Sequence, residues 1–257
     1  MDFDFSDDQE QLRDAVRRYV DKAYTFERRR SIVAQGGYEA KAYRELADLG
    51  LAGLCVSDAH GGMGMGAVEC MVVQEELGRG IALEPLAQTW MCSTLLEHYA
   101  PATLKAQWLP QLASGEALVV LAAQERKARY QIDKCDAKAV LAGDKYALTA
   151  IKNIVPVGDS ANAFVVPAML NGSMALFLVE RSASGVSTRG YGCQDGSRAA
   201  DITFKDAPAQ LITTKGLAAL EWAVDFGIAS TCAYAVGVMD KTLAVTVEYM
   251  NTRKQFG

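Results

Sequence analysis

Residues 111–124, QLASGEALVVLAAQ, mark where the chain changes texture. Ser114 and Gly115 close a helical pattern, and the run from Ala117 to Ala123 is continuously apolar but too short for a helix, as a buried strand is. Upstream, apolar residues recur at helical spacing. Ser6 and Gln9 stand in capping-box spacing ahead of a segment that runs to Ala23 and puts Leu12, Ala15, Val16, Tyr19 and Val20 on one face. The same period returns in YEAKAYRELADLG (38–50), AVECMVVQEELGRG (67–80) and 87–113, the last divided by Pro101. Downstream, the short runs DKYALTAIKNIVPV (144–157), NAFVVPAML (162–170), SMALFLVE (173–180) and AADITF (199–204) are separated by Gly, Asn, Asp and Ser, which predicts a small antiparallel β domain. From Lys215 helical spacing resumes with Trp222, Phe226, Ile228, Ala229, Ala233, Val236 and Val238. Helices, then strands, then helices in separate blocks disfavour a doubly wound parallel sheet.

Composition narrows the function. At 257 residues, 50% hydrophobic and 22% charged, the chain can bury a substantial core in more than one packed unit. Its net charge of −5 supplies no basic field for nucleic acid or an anionic membrane. Six cysteines at 55, 70, 92, 135, 193 and 232 show no C-x-x-C spacing, and only His60 and His98 could join them. No metal site is expected, and scattered thiols suit a reduced, cytoplasmic setting. The start, MDFDFSDDQEQ, lacks the basic patch of a signal peptide. WAVDFGIASTCAYAVGVM (222–239) is the most apolar stretch; Asp225 interrupts it, so a buried core helix is expected rather than a membrane span. Arg28, Arg29 and Arg30 read as a solvated helix end. HGGMGMG (60–66) lacks the G-x-G-x-x-G spacing and a framing βαβ unit, so a backbone turn between helices is the default over a phosphate loop.

Several segments, taken in order, resemble the acyl-CoA dehydrogenase family: SDDQEQLRDAVRRYV (6–20), LGLAGLCVSDAHGGMGMG (49–66), EELGRG (75–80), APATLKAQWLPQLASGE (100–116), the strand holding Lys152, and RKQFG (253–257). The phrases GRGIALEP (78–85) and ERKARY (125–130) resemble its small-subunit branch, that of the pimeloyl-CoA dehydrogenase small subunit. The resemblance implies an α+β fold with an N-terminal helical domain (1–116), a central antiparallel β domain (117–213) and the first part of a C-terminal helical bundle (214–257). FAD would lie between β domain and bundle. It implies FAD-dependent α,β-dehydrogenation of an acyl-CoA thioester, in which a carboxylate removes the α proton while the β hydride passes to the flavin.

The resemblance also assigns residues. Ala123, Gln124 and Tyr130 fall on the flavin-contacting turn, where Gln124 replaces the family's threonine and Arg126 its proline. Ile154 and Pro156 replace a tryptophan and a threonine against the isoalloxazine, and Pro156 has no donor. Arg253, Gln255 and Phe256 match the phrase that reaches the FAD of a partner subunit. Arg126, Lys127, Arg129 and Lys134 form a cationic run that is either a phosphate contact or a solvated loop. No catalytic carboxylate is assignable. One family position is Gly227, the other lies beyond Gly257, and Asp225 sits about 200° away round the helix from Gly227. Two functions follow: the dehydrogenase itself, or a non-catalytic FAD- or CoA-binding subunit paired with a homologue. Expected partners are acyl-CoA, an electron acceptor such as an electron-transfer flavoprotein, and further subunits, like or homologous.

Overall fold

The computed structural model describes residues 4–143 and 145–255. Six helices form the first block. α1 (Asp7–Ala23) begins with the reciprocal Ser6–Gln9 cap and buries Val16 and Val20. α2 (Phe26–Ala34) and α3 (Ala40–Asp48) follow. The glycine-rich loop is a turn between α3 and α4 (Ala67–Arg79): Gly61 and Gly64 take left-handed φ of 80° and 62°, and a Cβ on Gly62 would collide with the Val56 backbone. α5 (Leu86–Tyr99) and α6 (Ala102–Ala113) are divided at Pro101. Arg28 and Arg29 correct the reading of a solvated helix end. Arg28 pairs with Glu39 (2.8 Å) and Glu45 (2.7 Å), and Arg29 donates to the carbonyls of Ile81 and Asp195, because the helix end is covered by the loops it ties down.

Seven strands make one sheet: β1 (Val119–Leu121), β2 (Lys138–Ala142), β3 (Lys145–Pro156), β4 (Ala163–Leu170), β5 (Ser173–Glu180), β6 (Val186–Gly192) and β7 (Arg198–Thr213). Their order is β1-β4-β2-β3-β7-β5, with β6 on β7, and an extra β4–β5 pairing closes the sheet on itself. The ring runs through β4, β2, β3, β7 and β5, and β1 and β6 are each paired on one side only among the described residues. The sheet is antiparallel except where β1 and β2 meet β4 in parallel. β1 enters from the helical block and reaches β4 only after β2 and β3 have formed, so no hairpin constrains its direction. Phe164 and Phe204 meet edge to face at 5.8 Å in the interior.

α7 (Gly216–Thr252, 37 residues) returns to the first block and lies along α4 and α5. Leu220, Ala223, Ser230, Ala233 and Gly237 are its buried face. The approach to α4 is close because both helices present glycine. A Cβ on Gly78 would collide with the Tyr234 carbonyl oxygen, and one on Gly237 with that of Glu75. Ion pairs flank the seam: buried Glu76 holds Arg17 (2.7 Å) and Arg79 (3.3 Å), and Arg79 also pairs with Asp240 on α7. The expectation of a buried 222–239 is corrected for the other face, where Ile228 (56%) and Met239 (61%) are exposed. One helix layer can cover only one stripe of α7. Among the described residues α7 alone is long and apolar enough to cross a membrane by length and composition, yet its inner face is docked on protein.

Gly237→Val should lower stability by about 1–3 kcal/mol through overpacking of the α4–α7 seam. Gly192→Ala, whose Cβ meets nothing within 4 Å, should stay within about 0.5 kcal/mol of the parent. Equal urea midpoints for the two would show that the seam is loose.

Candidate functional site

The turn after β1 is fastened to β3 by its own backbone and by one buried ion pair. Asn153 N donates to the Gln124 carbonyl (2.9 Å) and Arg126 N to Asn153 Oδ1 (3.2 Å). Beneath this link Lys152 Nζ, fully buried, donates to Glu125 Oε1 at 2.6 Å. The amides of Asp136 (2.7 Å) and Ala137 (3.2 Å) complete the carboxylate. Burial alone would push the Glu125 carboxyl up; the Lys152 ammonium and the two amides outweigh it and hold the group below its ordinary value. A carboxylate so saturated is a clamp rather than a proton acceptor.

What the clamp presents is a ledge. β3 bulges between Lys152 and Val155, and Ile154 sits at φ 53°, a strained value for a β-branched residue, with its side chain half exposed. Beside it the half-buried Gln124 amide makes no side-chain hydrogen bond among the described residues. Ala123 and Gln124 are thus brought to Ile154, with Pro156 two residues on along β3. Tyr130 is not brought in: it is 93% exposed. Arg126 and Lys127 line an open cavity of about 650 Å³ together with Asn153, Arg189 and Asp201, where Lys127 pairs with Asp136 (3.6 Å) and Arg189 with Asp201 (2.8 Å). Arg129 and Lys134 do not line it.

The far end of α7 stays away from the ledge of its own chain. Arg253 lies 19 residues beyond Tyr234, roughly 28 Å along a helix rising 1.5 Å per residue, and it and Gln255 are exposed. Phe256 lies outside the described residues. Gly227 faces α5: a Cβ there would come within 2.8 Å of Met91 Sδ. Asp225 is exposed on another side of α7.

A second, smaller cavity of about 210 Å³, open to solvent like the first, lies where the three parts of the chain meet. The α4–α5 loop contributes Glu84, α4 Gln74, the end of β3 Pro156, and α7 Ser230 and Tyr234. Glu84 is 7% exposed, and neither carboxyl oxygen has a partner in hydrogen-bond geometry. The Tyr24 hydroxyl, which acts on this carboxyl, accepts from Leu83 N at 3.0 Å. Burial therefore dominates and pushes the Glu84 carboxyl up to about 7; Tyr24 and Arg28 pull back only in part, since Arg28 is engaged by Glu39 and Glu45. Sequence reasoning missed this group. Its one legible sign was an acid alone between apolar neighbours in IALEP, which does not by itself say buried.

Residues 6–116 match the family model described as acyl-CoA dehydrogenase, N-terminal domain. Acyl-CoA dehydrogenase FadE27 of Mycobacterium tuberculosis is 25% identical over all of this chain and 68% of its own. A solved structure of a steroid ACAD variant superposes with a TM-score of 0.89 at 28% identity, covering 97% of this chain and 68% of that one. PigA, solved with FAD and proline, superposes at 0.91 with 23% identity over 100% of this chain and 72% of its own. The chain spans about two thirds of the length of these proteins.

Two carboxyls give opposite pH behaviour. The raised folded value of Glu84 means that the native state holds a proton the unfolded chain releases, so its contribution falls as pH rises from 4.5 to about 7 and stays lost above. The loss amounts to about 3 kcal/mol. Glu84→Gln should therefore be the more stable protein at pH 8, with the difference shrinking toward pH 4.5; a pH-independent difference in chemical denaturation would rule out the titration. Lys152→Met, which strands Glu125, should cost about 3–5 kcal/mol at pH 7, read by the same denaturation.

Proposed function

We propose that the chain belongs to the acyl-CoA dehydrogenase family, whose N-terminal domain model it matches over residues 6–116, and that it works in FAD-dependent α,β-dehydrogenation of an acyl-CoA thioester. The observation that carries this reading is the ledge: the exposed side chain of Ile154 beside the unpaired Gln124 amide, held over the buried Glu125–Lys152 clamp. A flavin ring needs one apolar surface for its face and a polar partner for its edge. Ile154 supplies the first and Gln124 the second, so the residues present fit the group. FAD, when bound, supplies the acceptor for the β hydride. Gln124 would orient the ring edge and Ile154 would support its face, at a spacing fixed by the hydrogen bond from Asn153 N to Gln124 O. Pro156 closes the strand and offers no donor. Arg253 and Gln255, remote from their own ledge, suit the phosphate side of FAD in a second subunit.

The second reading, a non-catalytic FAD- or CoA-binding subunit in a heteromer of homologues, is favoured by Gly227. Met91 occupies the space into which a glutamate there would project. In either reading the bare face of α7, with Ile228, Val236, Met239, Leu243 and Val247 exposed, is where a like or homologous subunit would bind. An electron-transfer flavoprotein suits the role of electron acceptor. Unpaired cysteines suit a cytoplasmic protein, and the small-subunit branch remains our closer placement within the family.

The purified protein should be yellow, with the visible absorption of oxidised flavin, and Gln124→Ala should reduce flavin content without lowering the far-ultraviolet circular dichroism. A colourless protein that also fails to take up added FAD would sink the flavoprotein reading. Light scattering at micromolar concentration should show a dimer or larger, and a stable monomer would count against the α7 interface.

A further inference from the structure

We propose that the open cavity between the α4–α5 loop, β3 and α7 is a recognition site for a hydroxyl-bearing acyl group, with Glu84 as its specificity-determining residue. The inference rests on the acyl-CoA reading above and deepens it by naming a substrate class.

Three polar side chains from three different elements converge on this cavity. Gln74 of α4 is 5% exposed, Glu84 of the loop 7% and Ser230 of α7 3%. None of the three makes a side-chain hydrogen bond among the described residues, and both Glu84 oxygens are buried without a partner. Most buried polar groups are satisfied, and an exception calls for a ligand, water or ion. The other polar side chains at the cavity are already engaged. Arg198 is held by Asp159, the Gln88 carbonyl accepts from Leu121 N (3.1 Å), and the Tyr234 hydroxyl donates to Ala82 O (3.1 Å).

The free set is thus an amide, a hydroxyl and a carboxyl, with no free cation among them. An aliphatic tail would leave all three unpaired, each at a substantial desolvation cost. A tail ending in a carboxylate would meet Glu84 with like charge and nothing to neutralise it. A hydroxyl can donate to Glu84 and accept from Gln74 or Ser230, which satisfies two groups with one atom. At about 210 Å³ the cavity exceeds several times the roughly 30 Å³ share of one water, so it has room for a tail as well as its polar end. The pressure of burial on the Glu84 carboxyl supports the same choice, since a group poised near neutrality can accept from a hydroxyl or donate to it.

Three thioesters of equal length separate the possibilities: hexanoyl-CoA, 6-hydroxyhexanoyl-CoA and adipoyl-CoA, titrated calorimetrically into the full chain with its flavin reduced so that none is turned over. At pH 8 the hydroxylated thioester should bind about 10- to 100-fold more tightly than hexanoyl-CoA, as a hydrogen bond to an ionised group does, and adipoyl-CoA most weakly. Glu84→Leu, which replaces an unpaired buried carboxyl by an apolar side chain and should fold, should erase the hydroxyl preference. Glu84→Gln should keep much of that preference while relieving the penalty on adipoyl-CoA. Equal binding of hexanoyl- and 6-hydroxyhexanoyl-CoA, or a preference that survives Glu84→Leu, overturns the proposal and leaves the acyl-CoA reading standing. If no thioester binds, the acyl-CoA reading fails, and crystals soaked in pentane-1,5-diol decide the cavity alone. A diol hydroxyl bonded to Glu84 in the parent and absent in Glu84→Leu upholds the recognition site; a cavity without diol in the parent overturns it.

Discussion

The close approach of α7 to α4 is the constraint on which the rest depends. Two glycines, Gly78 and Gly237, let the backbones approach until each would exclude a Cβ on the other. Only at that distance can α7 carry Ser230 and Tyr234 over the α4–α5 loop and close a cavity against Gln74 and Glu84. The ion pairs alongside are secondary. Glu76 is buried and needs its arginines to avoid an uncompensated charge, so the pairs enforce the arrangement more than they stabilise it.

Two glutamates show how environment divides labour within one fold. Glu125 is met by an ammonium and two backbone amides, so it stays ionised and serves as a fastener for the turn that carries Gln124. Glu84 has lost water and gained nothing comparable, so its neutral form is favoured. The first is what a rigid ledge requires. The second is a cost to the free protein that a ligand with a suitable donor removes.

α7 is finished on one side only. Its inner stripe of small residues matches α4 and α5, while the outer stripe leaves branched and long apolar side chains bare. The same asymmetry reaches Gly227, which looks inward at Met91 and leaves no room for a side chain without movement of that methionine. Arg253 stands at the far end of this helix, roughly 28 Å along it from Tyr234 at a rise of 1.5 Å per residue.

The sequence by itself determined the order of blocks and those element ends that rest on local signals: the Ser6–Gln9 cap, the Ser114–Gly115 break, Pro101 between α5 and α6, and glycine in the 60–66 turn, whereas α2, β2, β6 and the second half of β7 were not read from it. It also placed Gln124, Ile154 and Lys152 on neighbouring segments through family resemblance. Tertiary structure alone decided the remainder. The parallel placement of β1 on β4, the engagement of Arg28 and Arg29, and the bare outer face of α7 all depend on what lies opposite in space. Glu84 is the sharpest case. A glutamate in IALEP carries no mark of its fate in the chain, since whether a carboxyl is solvated, paired or stranded is set by groups distant in sequence, here Tyr24, Gln74 and Ser230.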